Sequence, residues 1–167
     1  MAASSAHAGS ATEGHSGPAV VAVALGSNLG ARETHLTFAL SRLSGFLDNL
    51  RASAYHDTAP EGVGPQPVFL NAAAVGTCRL PARAVLDRLL AIERERGRER
   101  PFSGAPRTLD LDLVLYGDAV IVQPGLEVPH PRFRARRFVL APLAEIAADL
   151  VDPVTGLTIA DLLSRLA

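Results

Sequence analysis

Two aspartates near the middle of the chain have the spacing of a shared carboxylate site. From Leu109 to Leu115 every second residue is leucine, and Asp110 and Asp112 lie between them. Successive side chains of a β-strand point to opposite faces, so the pattern predicts a strand with its leucines on the core face and both aspartates on the other. The two Cα atoms would lie roughly 6.6–7 Å apart. Carboxylate ligands in this small number, with room for water and phosphate, favour Mg²⁺.

Arginines surround this strand in the sequence. All 16 basic residues are arginine, and nine of them fall in two flanking segments, five in 94–107 and four in 132–137. Metal-binding acids beside arginines that bind oxyanions are what phosphoryl transfer requires, because its catalysis is mostly positioning and charge neutralisation. The alternative is a solvated strand face beside self-paired surface charges. We assign residues 94–96 to such a surface and Arg107 to phosphate binding.

Three further positions could contact a ligand. The turn at Gly26 could present backbone N–H groups, although it matches neither GxxxxGK[ST] nor GxGxxG and is also a plain turn. Phe69 and Asn71 share a strand face, where the ring could stack on a flat ligand and the amide could bind its edge; alternatively, Phe69 belongs to the core. His130, between two prolines, could donate to phosphate or be an ordinary surface histidine.

The length and composition predict one domain with a short tail. The chain has 167 residues, 48% of them hydrophobic, and a formal net charge of -1. We expect residues 1–18, rich in Ala, Ser and Gly, to be a disordered tail and residues 19–167 to form a single domain. The charge provides no overall attraction to nucleic acid or membranes, and no apolar run could span a bilayer. With Cys78 alone, no internal disulfide can form, which favours the cytoplasm.

The order of the predicted elements indicates a ferredoxin-like α+β fold. We predict strands at Ala19–Leu25, Arg51–Tyr55, Val68–Val75 and Leu109–Tyr116, the last with a hairpin partner at Val120–Val122. We predict helices with an apolar stripe from Leu36 to Leu47, from Pro81 to Gly97, and as C-terminal additions at Arg136–Ile146 and Ile159–Leu166. The order βαββαβ predicts one antiparallel sheet with helices packed on it.

Taken together, these segments resemble the hydroxymethyl-dihydropterin pyrophosphokinase family of folate biosynthesis. The match runs in order from about residue 20 to residue 150. It comprises the segments Ala24 to Gly30, Thr58 to Gly62, Gln66-Pro67, Phe69 to Asn71, Ile92-Glu93, Gly97 to Arg100, Pro106 to Asp112, Val128 to Pro131, and Arg136 to Leu140. No single segment is decisive, but the ordered set is highly specific.

The resemblance implies a ferredoxin-like core and transfer of pyrophosphate from ATP to the hydroxymethyl group of the pterin, with release of AMP. Asp110 and Asp112 would then be the ligands of two Mg²⁺ ions. Residues that resemble the ATP-binding positions of the family are Glu93, Arg98, Arg100, Arg107, His130 and Arg136, of which Arg98 and Arg107 would also be catalytic. Residues that resemble its pterin-binding positions are Gly26, Thr58, Pro60, Phe69, Asn71 and Phe138.

Family behaviour further suggests that loops at Gly62–Gln66 and Pro101–Pro106 close over both substrates. The expected partners are these two small molecules, bound by a monomer, without nucleic acid or membrane.

Two alternatives stay open at this point. The first is a relative that binds pterin or nucleotide without turnover. The second is an RNA-binding module of the same sheet architecture, which would need two or three exposed aromatic side chains on central strands.

Overall fold

The computed structural model describes residues 17–59, 68–97 and 108–166. The strands are β1 (Ala19–Ser27), β2 (Asp48–Ala52), β3 (His56–Thr58), β4 (Phe69–Cys78), β5 (Asp110–Tyr116), β6 (Ile121–Gln123) and β7 (Leu126–Val128). The helices are α1 (Arg32–Leu43), α2 (Ala82–Glu95), a 3-10 turn (Phe133–Ala135), α3 (Arg137–Ala147) and α4 (Ile159–Ser164). In the described part of the chain, no helix combines the length and apolar content needed to cross a membrane.

The main sheet has the predicted ferredoxin-like topology. Its strand order is β5-β1-β4-β2, every neighbouring pair is antiparallel, and β3 also pairs with β4. With β2 and β3 together as the second strand, the chain order is βαββαβ, and each helix connects strands that are not neighbours. The prediction of the fold class is confirmed.

Helices cover both faces of the sheet. On one face, Val21, Val23 and Leu25 of β1 pack with Leu36 of α1 and Leu89 of α2. On the other face, small residues of the central strands lie beneath the bulkier side chains of α3: Ala22, Ala24 and Ala73 share a cluster with Leu140 and Leu143. The small residues let α3 lie close to the sheet, and this second face is the one that carries the polar side chains discussed below.

Strand β5 departs from the predicted alternation at its C-terminal end. Its register against β1 shifts between Ala22 and Val23, so that Leu113 pairs with Val23 and Leu115 with Ala22. The extra residue, Val114, is a bulge, and a bulge moves the residues after it to the other face. Leu113 therefore belongs to the α1 and α2 side, whereas Leu115 belongs to the α3 side. The prediction that all the leucines share one face was wrong for Leu115.

The predicted hairpin between β5 and residues 120–122 was also wrong. Strand β6 pairs with β7 in a separate two-stranded sheet, in which Ile121 pairs with Val128 and Gln123 with Leu126. A two-residue turn at Gly117-Asp118 had suggested pairing with β5, but Gly117 N donates instead to Val20 O of β1 at 2.7 Å. The edge of β5 that faces away from β1 is therefore available for contacts with other groups, among them Glu93 and His130.

Two predicted boundaries shift for local reasons. Helix α1 ends at Leu43, and Leu47 lies beyond it, although it is buried as predicted. The second strand is divided: between β2 and β3, Ser53 Oγ accepts from Ala73 N at 2.9 Å. The side-chain oxygen of Ser53 thus supplies the acceptor for the backbone N–H of Ala73 where the two strands are interrupted.

Polar contacts hold α3 and the preceding 3-10 turn to the body of the domain. Glu145 of α3 accepts from Ala54 N at 3.1 Å and contacts His56 Nε2 at 2.5 Å. Arg134 of the 3-10 turn donates from Nε and one Nη to Asp152, whose side chain is 0% exposed. Burial alone would raise the pKa of Asp152, but hydrogen bonds from Arg134, Thr155 and Val154 outweigh it and lower the pKa.

Replacing Asp152 by Asn should destabilise the fold. Asp152→Asn removes the negative partner of a buried, bidentate arginine, and we expect a loss of about 2–4 kcal/mol in the free energy of unfolding, measured with urea at pH 7. Because the folded pKa is depressed, the contribution of Asp152 persists above about pH 4 and is lost as the pH falls through the folded pKa. The exposed Asp149→Asn serves as the control; an equal effect of both variants would contradict the prediction.

Candidate active site

The pairing of three strands brings the predicted acids and the predicted amide onto one face. Gly26 of β1 pairs with Asp110 of β5 on one side and with Asn71 of β4 on the other. Residues directly opposite each other in antiparallel strands point to the same face. Asp112 pairs with Ala24 in the next row of that face. Gly26 and Ala24 of β1 lie between the aspartates and the strand that carries Asn71, so no long side chain of β1 projects from the sheet between them.

Asp112 lies close to the side chains of His130 and Arg136. Asp112 Oδ1 is 4.0 Å from His130 Nε2, and Asp112 Oδ2 is 4.0 Å from Arg136 Nη1. These separations exceed hydrogen-bond length and are short enough for one bridging ligand atom or water. A cavity of about 500 Å³ opens along β5, and its lining includes Glu93, Asp110, Asp112, His130, Arg132 and Arg136.

His130 is held as a neutral hydrogen-bond donor. Its backbone N donates to Val114 O at 2.9 Å, and its ring Nδ1 accepts from Arg132 N at 3.1 Å. Burial, followed by the charges of Arg136 and Arg132, lowers the pKa of His130 to about 4, with a smaller opposing effect of Asp110. The ring is therefore neutral at pH 7, and the contact at Nδ1 assigns the proton to Nε2, on the side of Asp112.

Glu93 supports the strand between the two aspartates. It lies in the last turns of α2, is only 2% exposed, and its Oε2 accepts from Leu111 N at 2.7 Å. Leu111 separates Asp110 from Asp112, so this bond attaches the open edge of β5 to α2 at the acid pair itself. The family resemblance implies a place for Glu93 near the nucleotide; in the structure Glu93 lines the cavity, and one of its oxygens accepts from the backbone of β5.

A second group of polar and aromatic residues lies beside Gly26. A Cβ at Gly26 would come within 3.0 Å of Asn71 Nδ2 and 3.8 Å of a Phe69 ring carbon, so both side chains cover this glycine. Thr58 Oγ1 donates to Asn71 Oδ1. This bond orients the amide, with its NH₂ group on the Gly26 side. The predicted residues Gly26, Thr58, Phe69 and Asn71 are thus brought together.

Phe138 of α3 and Arg136, which directly precedes α3, approach the same face. Phe138 is half-buried on the α3 side of the sheet, and the Arg136 guanidinium lies over its ring at 5.5 Å from the centroid. The arginine thereby borders both the acid pair and the aromatic group. Four predicted residues, Pro60, Arg98, Arg100 and Arg107, lie outside the described residues, as do both loops expected to close over the substrates.

The acid pair has the chemistry of an incomplete magnesium site. Within residues 17–59, 68–97 and 108–166, no cluster of three or more His, Cys, Asp or Glu side chains could hold a metal ion. Asp110 and Asp112 would supply carboxylate oxygens only, and Mg²⁺ commonly keeps water and takes phosphate oxygens as its remaining ligands. The residues present therefore fit Mg²⁺ bound together with a phosphorylated substrate.

Comparison with known proteins shows the family of the chain. The model of the 7,8-dihydro-6-hydroxymethylpterin-pyrophosphokinase (HPPK) family matches residues 22–148. The chain belongs to this family. The corresponding enzyme of Synechocystis sp. is 41% identical over 145 residues, which cover 86% of this chain and 74% of the enzyme. That of Pseudomonas aeruginosa is 41% identical over 135 residues, which cover 80% and 83%. The family's enzymes are pyrophosphokinases of folate synthesis, and ATP is their co-substrate.

Longer HPPK relatives and a solved structure share the same fold unit. A folic acid synthesis protein of Pneumocystis carinii is 39% identical over 147 residues. This match covers 87% of this chain but only 20% of that protein. A crystal structure of Plasmodium falciparum HPPK-DHPS superposes with a TM-score of 0.74 over 93% of this chain and 47% of that one. At 14% sequence identity, this likeness shows the fold alone.

Sequence reasoning missed several contacts in and near the candidate site. The backbone N–H of Arg132 determines the tautomer of His130, and Glu145 ties α3 to β3. Residues 94–96 were assigned to a self-paired surface, yet Glu95 pairs with Arg42 of α1 at 2.7 Å and Arg96 lies over the Phe38 ring. Most of these contacts join residues that are far apart in the sequence and therefore leave no local pattern. The exception is Arg132, whose position directly after His130-Pro131 could have indicated its contact with His130.

Removing Glu93 should weaken the fold more than removing its neighbour Glu95. Glu93→Ala leaves the N–H of Leu111 without its acceptor at a buried position, and we expect a loss of about 1–3 kcal/mol in the free energy of unfolding in urea. Glu95→Ala on the same helix removes an exposed ion pair and should cost less than about 1 kcal/mol. Equal losses in the two variants would contradict the role of Glu93 as the support of β5.

Proposed function

We propose that this chain transfers the diphosphate of ATP to the hydroxymethyl group of 6-hydroxymethyl-7,8-dihydropterin. A bond forms between the pterin hydroxymethyl oxygen and the β-phosphorus, the bond from the β-phosphorus to the oxygen it shares with the α-phosphate breaks, and AMP leaves. The hydroxyl proton is released. The observation that carries the proposal is the row Asp110, Gly26 and Asn71, which joins an acid pair to an amide and aromatic group across one glycine.

The nucleotide half of the proposed site consists of acids and cationic donors. Asp110 and Asp112 would hold two Mg²⁺ ions, which when bound would neutralise the triphosphate. His130 presents a neutral Nε2–H, and Arg136 a permanent positive charge, each 4.0 Å from an oxygen of Asp112. Phosphate oxygens placed between these groups would accept hydrogen bonds from both. We propose the same role for Arg98, Arg100 and Arg107, on the basis of their positions in the family pattern.

The pterin half of the proposed site combines a flat floor with edge-binding groups. Phe69 and Phe138 are half-buried rings on the α3 side of the sheet and would stack on the two faces of the pterin. Asn71 offers its NH₂ group as donor, and Thr58, which fixes that amide, lies beside it. Gly26 has no side chain, which leaves the space in which Asn71 and Phe69 lie close to the sheet. Pro60 is proposed as a further edge contact.

Glu93 contributes indirectly in this proposal. Its bond to Leu111 N holds the strand between Asp110 and Asp112, so the spacing of the two carboxylates does not depend on β1 alone. We propose a monomer as the active form. The buried thiol of Cys78 is consistent with the cytoplasm.

The metal-binding role predicts a large loss of turnover without loss of the fold. Asp112→Asn should lower AMP formation from ATP and hydroxymethyl-dihydropterin on the order of 10²–10³-fold, because a neutral amide is a weaker ligand than a carboxylate for the Mg²⁺ ions that would neutralise the transferring group. AMP should form in the wild-type protein only when Mg²⁺ is present. The exposed Asp118→Asn, in the turn after β5, is the control. Formation of ADP, or full activity of Asp112→Asn, would contradict the proposal.

The glycine floor predicts a selective effect on the pterin. Gly26→Ala places a methyl group 3.0 Å from Asn71 Nδ2, and overpacking of this kind costs about 1–3 kcal/mol. We expect the KM for the pterin to rise about 5- to 150-fold, while the KM for ATP changes little. Gly17→Ala, with no atom within 4 Å of the added carbon, is the matched control. A larger change in the KM for ATP than in that for the pterin would be evidence against this placement.

A further inference from the structure

Arg32 makes contacts that neither the family pattern nor the proposed chemistry requires. It is the first residue of α1, and its Nη1 donates to Asp57 Oδ1 at 3.1 Å and to Val68 O at 2.8 Å. Asp57 lies in β3 and Val68 directly precedes β4. One guanidinium nitrogen therefore connects α1 to two segments that are distant from it in sequence.

These two contacts lie at the end of the β3–β4 ladder, next to the proposed pterin half. Asp57 directly precedes Thr58, and Val68 directly precedes Phe69, while Thr58 and Phe69 pair with each other. Strand β3 has only three residues, so its own hydrogen bonds are few. A short ladder of this kind is weakly constrained at its end, and an added cross-link there restricts where Thr58 and Phe69 can lie.

The position of Arg32 is not explained by the stability of its helix. A cation in the first turn of a helix meets the positive end of the helix dipole, which disfavours it. The ion pair with Asp57 is also weak, since the side chain of Asp57 is 68% exposed and solvent screens it. The bond to the carbonyl of Val68 has a charged donor and is the stronger of the two contacts.

We infer that Arg32 is a positioning residue for the pterin. In this role, Arg32 does not contact a substrate. It holds the ends of β3 and β4 together, so that Thr58, Phe69 and Asn71 keep the arrangement that binding of the pterin ring requires. Thr58 in turn orients the amide of Asn71. This inference rests on the proposed function, because it concerns the substrate assigned to that half of the site.

The test is a steady-state comparison of matched variants. Arg32→Gln should raise the KM for hydroxymethyl-dihydropterin about 5- to 20-fold, with kcat and the KM for ATP within about twofold of the wild type. Arg32→Lys should recover most of this loss, because a single nitrogen makes both bonds. Asp57→Asn retains a side-chain oxygen that can accept from Arg32, keeps the Val68 contact, and removes only the screened charge, so it should change the KM by less than about twofold.

Arg42→Gln is the control on the same helix. Arg42 pairs with Glu95 at 2.7 Å and lies over Phe38, and none of these residues belongs to the proposed pterin half. Its KM values should match those of the wild type. A fall in melting temperature of Arg32→Gln with an unchanged KM for the pterin would overturn the inference, and so would equal rises in both KM values.

The dissociation constant of the pterin separates failure of the inference from failure of the proposed function. It would be measured by calorimetry in the presence of a non-hydrolysable ATP analogue, for the wild type and for Arg32→Gln. Absence of AMP formation by the wild type would contradict the proposed function. Equal pterin affinities of the two proteins would overturn the role of Arg32, whether or not turnover occurs.

Discussion

The site depends on the pairing of β1 with β4 on one side and β5 on the other. This register aligns Asp110, Gly26 and Asn71 in one row, and a slip of one residue would turn the acids or the amide to the opposite face. The bulge at Val114 lies beyond the acid pair, so the change of face affects only the end of β5. Alanines on the same face let α3 pack close to the sheet beside this row. Fold and site are thus consequences of a single register.

Electrostatics divides this face into two halves. Two carboxylates with Arg136 and a neutral His130 form a polar half suited to a metal-bound polyphosphate. Across Gly26, an oriented amide and aromatic rings form a half suited to a flat heterocycle. Arg136 borders both halves, since it approaches Asp112 and lies over Phe138. The Arg134 pair with Asp152 holds the 3-10 turn from which Arg136 extends, so a buried ion pair remote from the chemistry supports its geometry.

Local patterns predicted much of this arrangement, and non-local pairings account for the rest. The alternation around Asp110 correctly placed both aspartates on one strand face, and the order of apolar runs predicted the ferredoxin-like sheet. The row through Gly26 could not be predicted, because cross-strand register depends on residues about 45 and 84 positions away. The β6–β7 hairpin was missed because its two runs of three residues carry little periodicity. The contacts of Arg32 and Glu93 join distant elements and leave no local signal.

The most direct test of the account is a crystal structure with Mg²⁺, a non-hydrolysable ATP analogue and hydroxymethyl-dihydropterin. The account predicts carboxylate oxygens of Asp110 and Asp112 at about 2.0–2.1 Å from the metal ions, which also contact the triphosphate, with the pterin above Gly26. Metal ions bound to the phosphates alone, with both aspartates in contact only with protein side chains, would contradict it.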